Sequence, residues 1–212
     1  MKLFVVHTHV CTLKFVPKLS FIQKQDLNQL QMEKFTENCL AENRMLYYLS
    51  QNTHLLDDNH VGLASAKWNE KYKCVRLHQL QLLKPDEETV YAAETTDKWY
   101  EDSEANHPGM QGYIHEIMNR NGWSNTNGLS FYSNNFICHK NTMVKFLEWW
   151  AENFQYFYNK HNNQFHFNNN YRRYNPKLHQ AYFYERLTIL YFANKKYNIK
   201  PIGNIESHMK LA

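Results

Sequence analysis

Three short stretches of this chain are apolar at consecutive positions and then stop at polar residues. Lys2 to Val6 runs into His7, Thr8 and His9; His60 to Ala66 runs into Lys67, Trp68 and Asn69; Thr89 to Ala93 runs into Glu94 and Asp97. A strand without polar alternation has to be covered on both faces, as strands inside a parallel sheet are. Helical patterns fill the intervals, and strands alternating with helices predict one α/β domain built on a mainly parallel sheet.

The intervals can be read in more detail. Asp26, with Gln29 three residues on, has the pattern of a helix N-cap, opening a long helix whose Leu27, Leu30, Phe35, Leu46 and Leu49 share a face. A weaker strand signal, Leu13 to Ile22, precedes it and is broken by Pro17. Leu77, Leu80 and Leu83 have helical spacing up to Pro85. The segment from Asp97 to Pro108 is irregular, Pro108 opens a helix carrying Tyr113, Ile114 and Ile117, and Gly122 closes it. Two strand-like stretches flank Asn134 and Asn135. Thr142 is placed to cap an amphipathic helix of Met143, Phe146, Leu147, Trp150 and Phe154, another helix runs from about Gln180 to Asn194, and Ile199 to Ile202 is strand-like.

With 212 residues, 43% of them apolar, the chain is long enough for a substantial core. A net charge of +4 without any block of like charges does not call for nucleic acid. Cys11, Cys39, Cys74 and Cys138 are widely separated and have no metal-ligand spacing, so reduced thiols are expected. No stretch approaches the ~18 apolar residues of a membrane span, and the leading MKLFVV is short for a signal peptide; the expectation is a cytoplasmic protein.

Candidate chemistry gathers where the strands end. Acids at the carboxyl end of a sheet strand face the crevice in which α/β proteins hold ligands, and two of them, Glu94 and Asp97, could hold a hard divalent cation that grips a phosphate. They could equally form a solvated acidic loop. A buried first strand ending in polar residues such as His7 and Thr8 is how many nucleotide-binding α/β domains begin, though His7 and His9 could equally be ordinary loop histidines; Lys67, at the exit of the second strand, could meet a phosphate. Asp57 and Asp58 precede a strand and read as a solvated turn. No Walker loop and no GxGxxG motif is present, so a phosphate would be held by side chains or metal.

The LHQLQLLKP segment, the strand VYAAE ending in acids, NNFICHKNTMVKFLEWW, the helix FYERLTIL and a histidine near the carboxyl end together resemble a glycosyltransferase of the GT-A fold, and nearly the whole chain is similar to glycosyltransferase domains encoded by chlorella viruses. The resemblance implies a single GT-A-like domain, a mostly parallel mixed sheet flanked by helices, with a nucleotide-binding part over about residues 1–97 and an acceptor side over about 98–212. It implies a UDP-sugar donor with His7, Thr8 and Lys67 around its nucleotide, a glycan or glycoprotein acceptor as in viral capsid glycan synthesis, host cytoplasm as the setting, and Mn²⁺ or Mg²⁺. The sequence has Glu94-Thr95-Thr96-Asp97 where the family pattern is Asp-x-Asp. Carried over, Glu94 and His208 would be metal ligands, with Asp97 a second ligand or a sugar-contacting acid. Glu185 would be the polar group presented to the sugar, with Asp97 its rival as catalytic carboxylate, unless Glu185 only pairs with Arg186 or a lysine at the surface.

Two other readings are open. Tyr171, Arg172, Arg173 and Tyr174 could make a non-catalytic module that binds glycan or single-stranded nucleic acid. The same acidic site with water as acceptor would make a nucleotide-sugar hydrolase.

Overall fold

A computed structural model describes residues 1–7, 20, 22–26, 42–65, 68–72, 75–124, 128–161, 165–166 and 179–204. Six strands form one sheet: β1 (Lys2–His7), β2 (Ile22–Asp26), β3 (His60–Ser65), β4 (Thr89–Thr96), β5 (Ser130–His139) and β6 (Asn198–Pro201), in the order β2-β1-β3-β5-β4-β6. β5 runs antiparallel to β3 and β4, and the other pairings are parallel. The expected mixed, mostly parallel sheet is therefore present, and β5, from the second half of the chain, lies between two strands of the first half.

Consecutive apolar residues do divide between two faces. Phe4, Val6, Leu63, Val90, Ala92, Phe136 and Cys138 face a large core, while Leu3, Val5, Ala64, Tyr91 and Ile137 face a smaller one. The large core is closed by α1 (Asn43–Gln51), α4 (Met110–Arg120), α5 (Lys140–His161) and α6 (His179–Asn194). The small one is closed by Trp68 of the short helix α2 (Trp68–Lys71) and by Leu77, Leu80 and Leu83. Those leucines are three apart, and Leu77–Leu82 is a 3₁₀ helix, whose period of three puts them on one face. Cys138 is buried as a free thiol; the other cysteines lie outside the described residues.

Several local expectations give way to tertiary pairing. Asp26 is the last residue of β2, paired with His7, and not a helix cap; α1 begins at Asn43, with Leu46 and Leu49 buried as anticipated. The segment after Asp97 is helical, α3 (Trp99–Asn106), because Trp99 is anchored in the core and its indole N–H donates to the Gly128 carbonyl at 2.9 Å. The next helix starts at Met110, two residues past Pro108, behind Gly109 at φ +97°, and the Glu104 carboxylate accepts from the Gly109 and Gln111 amides. Thr142 is not a cap: α5 starts at Lys140 directly off β5, and the Thr142 hydroxyl donates to the Glu87 carbonyl. Asp57 and Asp58 do sit in the loop before β3, where Lys2 donates to Asp57 at 3.0 Å.

Helix α6 is buried nearly all round and packs on β5 and against α4 and α5. A helix in that position has no solvated face on which charge is cheap. It nevertheless carries Glu185 and Arg186.

Candidate functional site

Because β5 is antiparallel, its first half lies beside the carboxyl ends of β3 and β4. The register there is broken: Ala92 pairs with Phe136 and Glu94 with Tyr132, so β5 holds extra residues opposite Ala93. Ser133 takes them up with φ +56°, a conformation that costs a non-glycine residue about 1–2 kcal/mol. What stands in place of the two expected strand-like stretches is one strand with a bulge at its polar centre. Phe131 and Phe136, on either side of the bulge, have their rings in contact in the same core at 5.2 Å.

Side chains hold the bulge. The Ser133 amide donates to Glu185 Oε1, and Asn135 Nδ2 donates to the Ser133 hydroxyl at 2.7 Å. Asn135 Oδ1 accepts from the amide of Ser65 at the end of β3. Asn134 accepts from Thr188 of α6 and donates to Asn43 of α1, which itself donates to the Ala181 carbonyl. Both asparagines are buried, and buried amides keep such positions only when they are hydrogen-bonded.

Beside the bulge is a cavity of about 220 Å³. Glu94 and Ser133 form its sheet side, Tyr182, Glu185 and Arg186 of α6 another wall, and Asn106 and His107 a third, with Tyr132 between. Arg186 is only 3% exposed. Its Nη1 lies 3.6 Å from Glu185 Oε2, and its Nε and Nη1 have no hydrogen-bond partner among the described residues. The guanidinium lies 5.9 Å from the centre of the Tyr132 ring, and the Tyr132 hydroxyl donates to Asp102 at 3.0 Å. Burial, then that carboxylate, raises the Tyr132 phenol's pKa.

His107 stacks on Tyr182, ring centres 4.5 Å apart. Burial, and then Arg186, pushes its pKa down to about 3, so the imidazole is neutral at ordinary pH. Three carboxylates interact around the bulge: Glu42, at the turn into α1, feels both Glu185 and Glu94. Burial pushes its pKa up, Lys71 opposing. The Tyr72 phenol is likewise raised by burial and then by Glu94.

The structure thus brings Glu94 and Glu185 to one cavity. Asp97 lies exposed past the end of β4 and is not among the residues lining it. His7 ends β1, but its side chain, with Thr8, Lys67, His208 and the Tyr171, Arg172, Arg173 and Tyr174 cluster, lies outside the described residues. Arg186 does pair with Glu185, though in the interior rather than at the surface. Among the described residues no three His, Cys, Asp or Glu side chains come together as a metal-ligand group. Sequence reading passed over Arg186, His107, Tyr182, Asn106 and Glu42. For Arg186 the signal was there: a charged pair inside an otherwise apolar helix has to be partnered or used.

No known family profile matches this chain, and a search of curated proteins finds no match. A solved structure described as the apo form of WbbM, a bifunctional glycosyltransferase, superposes with a TM-score of 0.59 at 12% identity, over 95% of this chain and 44% of that one. The chain therefore has a glycosyltransferase-like fold and spans less than half of that protein's length. No helix among the described residues is long and apolar enough to cross a membrane.

Proposed function

We propose that this chain transfers a sugar from a nucleotide-sugar donor to a hydroxyl of a glycan acceptor. The observation that carries this reading is the meeting of Glu94 and Glu185 in one cavity at the carboxyl edge of a glycosyltransferase-like sheet. An attacking hydroxyl has to lose a proton, and the sugar becomes cation-like as its bond to the leaving diphosphate breaks. Carboxylates suit both demands, the first as a general base and the second as fixed negative charge.

Glu185 is the better base. Ser133 N–H holds one oxygen and Arg186 stands by the other, and a carboxylate fixed in this way loses little orientational freedom when it acts. Glu94 is the second carboxylate of the cavity; Asp97, outside the lining, is the lesser candidate.

The donor we propose is a UDP-sugar, with His7, Thr8 and Lys67 about its nucleotide, a choice supported by the sequence resemblance. The same resemblance supports a place in viral capsid glycan synthesis in the host cytoplasm. The described residues do not complete a metal site. The Mn²⁺ or Mg²⁺ proposed with the donor would need the diphosphate and residues such as His208 beside Glu94.

The test is a thermal-shift panel of UDP, GDP and CMP, each with and without Mn²⁺. UDP at a hundredfold excess over its Kd should stabilise the protein by about 2.7 kcal/mol. Lack of stabilisation by any of the three would overturn the donor reading, and an equal UDP response without Mn²⁺ would remove the cation. With a UDP-sugar and acceptors supplied, Glu185→Ala should lower turnover about 10²- to 10⁴-fold, and product analysis with and without acceptor distinguishes transfer from hydrolysis.

A further inference from the structure

The cavity beside the bulge has a composition that selects among ligands. Its volume of about 220 Å³ lies below the roughly 300–1,000 Å³ of pockets that enclose a whole drug-sized ligand, so one sugar ring fits it better than a complete nucleotide-sugar. Its charged groups are two carboxylates, Glu94 and Glu185, and one guanidinium, Arg186. His107 adds no charge because burial keeps its imidazole neutral. With two negative groups against one positive, an anionic ligand group would meet net repulsion.

A hydroxyl group both donates and accepts, and it needs a partner of each kind when taken out of water. The cavity supplies both kinds side by side. The carboxylates only accept and the guanidinium only donates; Asn106 can do either. The Arg186 Nε and Nη1 groups are buried, and no described residue accepts from them, which is a cost that ligand oxygens drawing the guanidinium forward would relieve. Tyr182, half-buried and stacked on His107, adds an aromatic wall for the apolar face of a ring.

We propose that this cavity is the subsite for an uncharged acceptor saccharide, whose ring lies against Tyr182 while its hydroxyls bridge Arg186 and the carboxylates Glu94 and Glu185. This rests on the transferase reading and deepens it, and its own test does not require turnover. Saturation-transfer NMR on the intact chain at low salt would use the methyl glycosides of glucose, galactose, mannose and rhamnose, with methyl glucuronide as the charged probe. At least one uncharged glycoside should give saturation transfer, and methyl glucuronide should bind about fivefold or more weakly than methyl glucoside, as a unit-charge repulsion of about 1 kcal/mol at 4 Å in water requires. Tyr182→Ala should abolish the signal and Tyr182→Phe should keep it, with both variants retaining the parent's response to UDP.

The proposal is overturned if no uncharged glycoside binds, if methyl glucuronide binds better than methyl glucoside, or if Tyr182→Ala leaves the signal intact. Should Tyr182→Ala fail to fold, the comparison of charged with uncharged probes on the parent chain decides. Glycosides that bind when no nucleotide does would sink the transferase reading and leave the subsite standing. Nucleotide binding without glycoside binding would do the reverse.

Discussion

Between Phe136 and His139, β5 is a regular strand: it pairs in register with β3 and β4, and Phe136, Ile137 and Cys138 alternate between two dry cores. From Ser130 to Asn135 the same strand is polar at its centre, broken in register, and held by hydrogen bonds from three other elements. The regular half is fixed by contact area, which is non-directional and summed over many neighbours. In the polar half a few directional bonds hold a backbone that would otherwise relax. Stability resides in one half and the candidate chemistry in the other, as expected where strain is kept at a site and offset elsewhere.

The contrast can be broken most forcefully at Phe136, whose ring touches those of Phe131, Phe146 and Phe192. Phe136→Ala should cost about 3–5 kcal/mol in chemical denaturation. A loss below about 1 kcal/mol would mean that this half is not the stabilising one.

A smaller effect per unit change is expected at the polar edge from His107. Its folded pKa of about 3 lies below the unfolded value of about 6.5, so between those values the unfolded chain binds the extra proton. The contribution is whole above about pH 6.5 and is lost as pH falls toward 3, at roughly 1.4 kcal/mol per pH unit. Denaturation across that window, on the parent and on His107→Gln, should show a shallower slope in the variant. Equal slopes would place the acid sensitivity elsewhere.

The smallest effects sharpen the comparison at the bulge. Ser133→Val forces a β-branched residue into a left-handed conformation and should cost about 1–3 kcal/mol. Ser133→Gly accepts the conformation and should change stability by less than about 1 kcal/mol. Equal costs for the two would show that the bulge is not strained at Ser133.

Much of the regular half was legible in the sequence because its signals are local. Runs such as LFVV and HVGLAS are strands whatever lies around them, the Met143 to Phe154 stripe can only bury itself, and leucines three apart wind one turn. The errors fall where a distant partner decided. Asp26 carries a cap pattern, yet β1 claims it as a strand residue. Asn134 and Asn135 looked like an interruption, because a polar pair inside a strand makes sense only once Ser65, Asn43 and Thr188 are beside it.

The candidate site divides in the same way. Glu94 stands out in the sequence because acid follows apolar strand, which is a relation between neighbours. Arg186 and Glu185 were visible as a charged pair in an apolar helix, but whether such a pair is solvated or enclosed depends on all the surfaces that surround it. By itself the sequence determined the layered α/β architecture and the strand ends at which polar chemistry collects, since periodicity and burial follow from local order. Only the tertiary structure decided that Glu94, His107, Tyr182 and the Glu185–Arg186 pair share one cavity. Glu94 and His107 are far along the chain from the helix that carries the other three, and what brings the two groups together is a bulge and an enclosed helix that form only when the whole sheet is assembled.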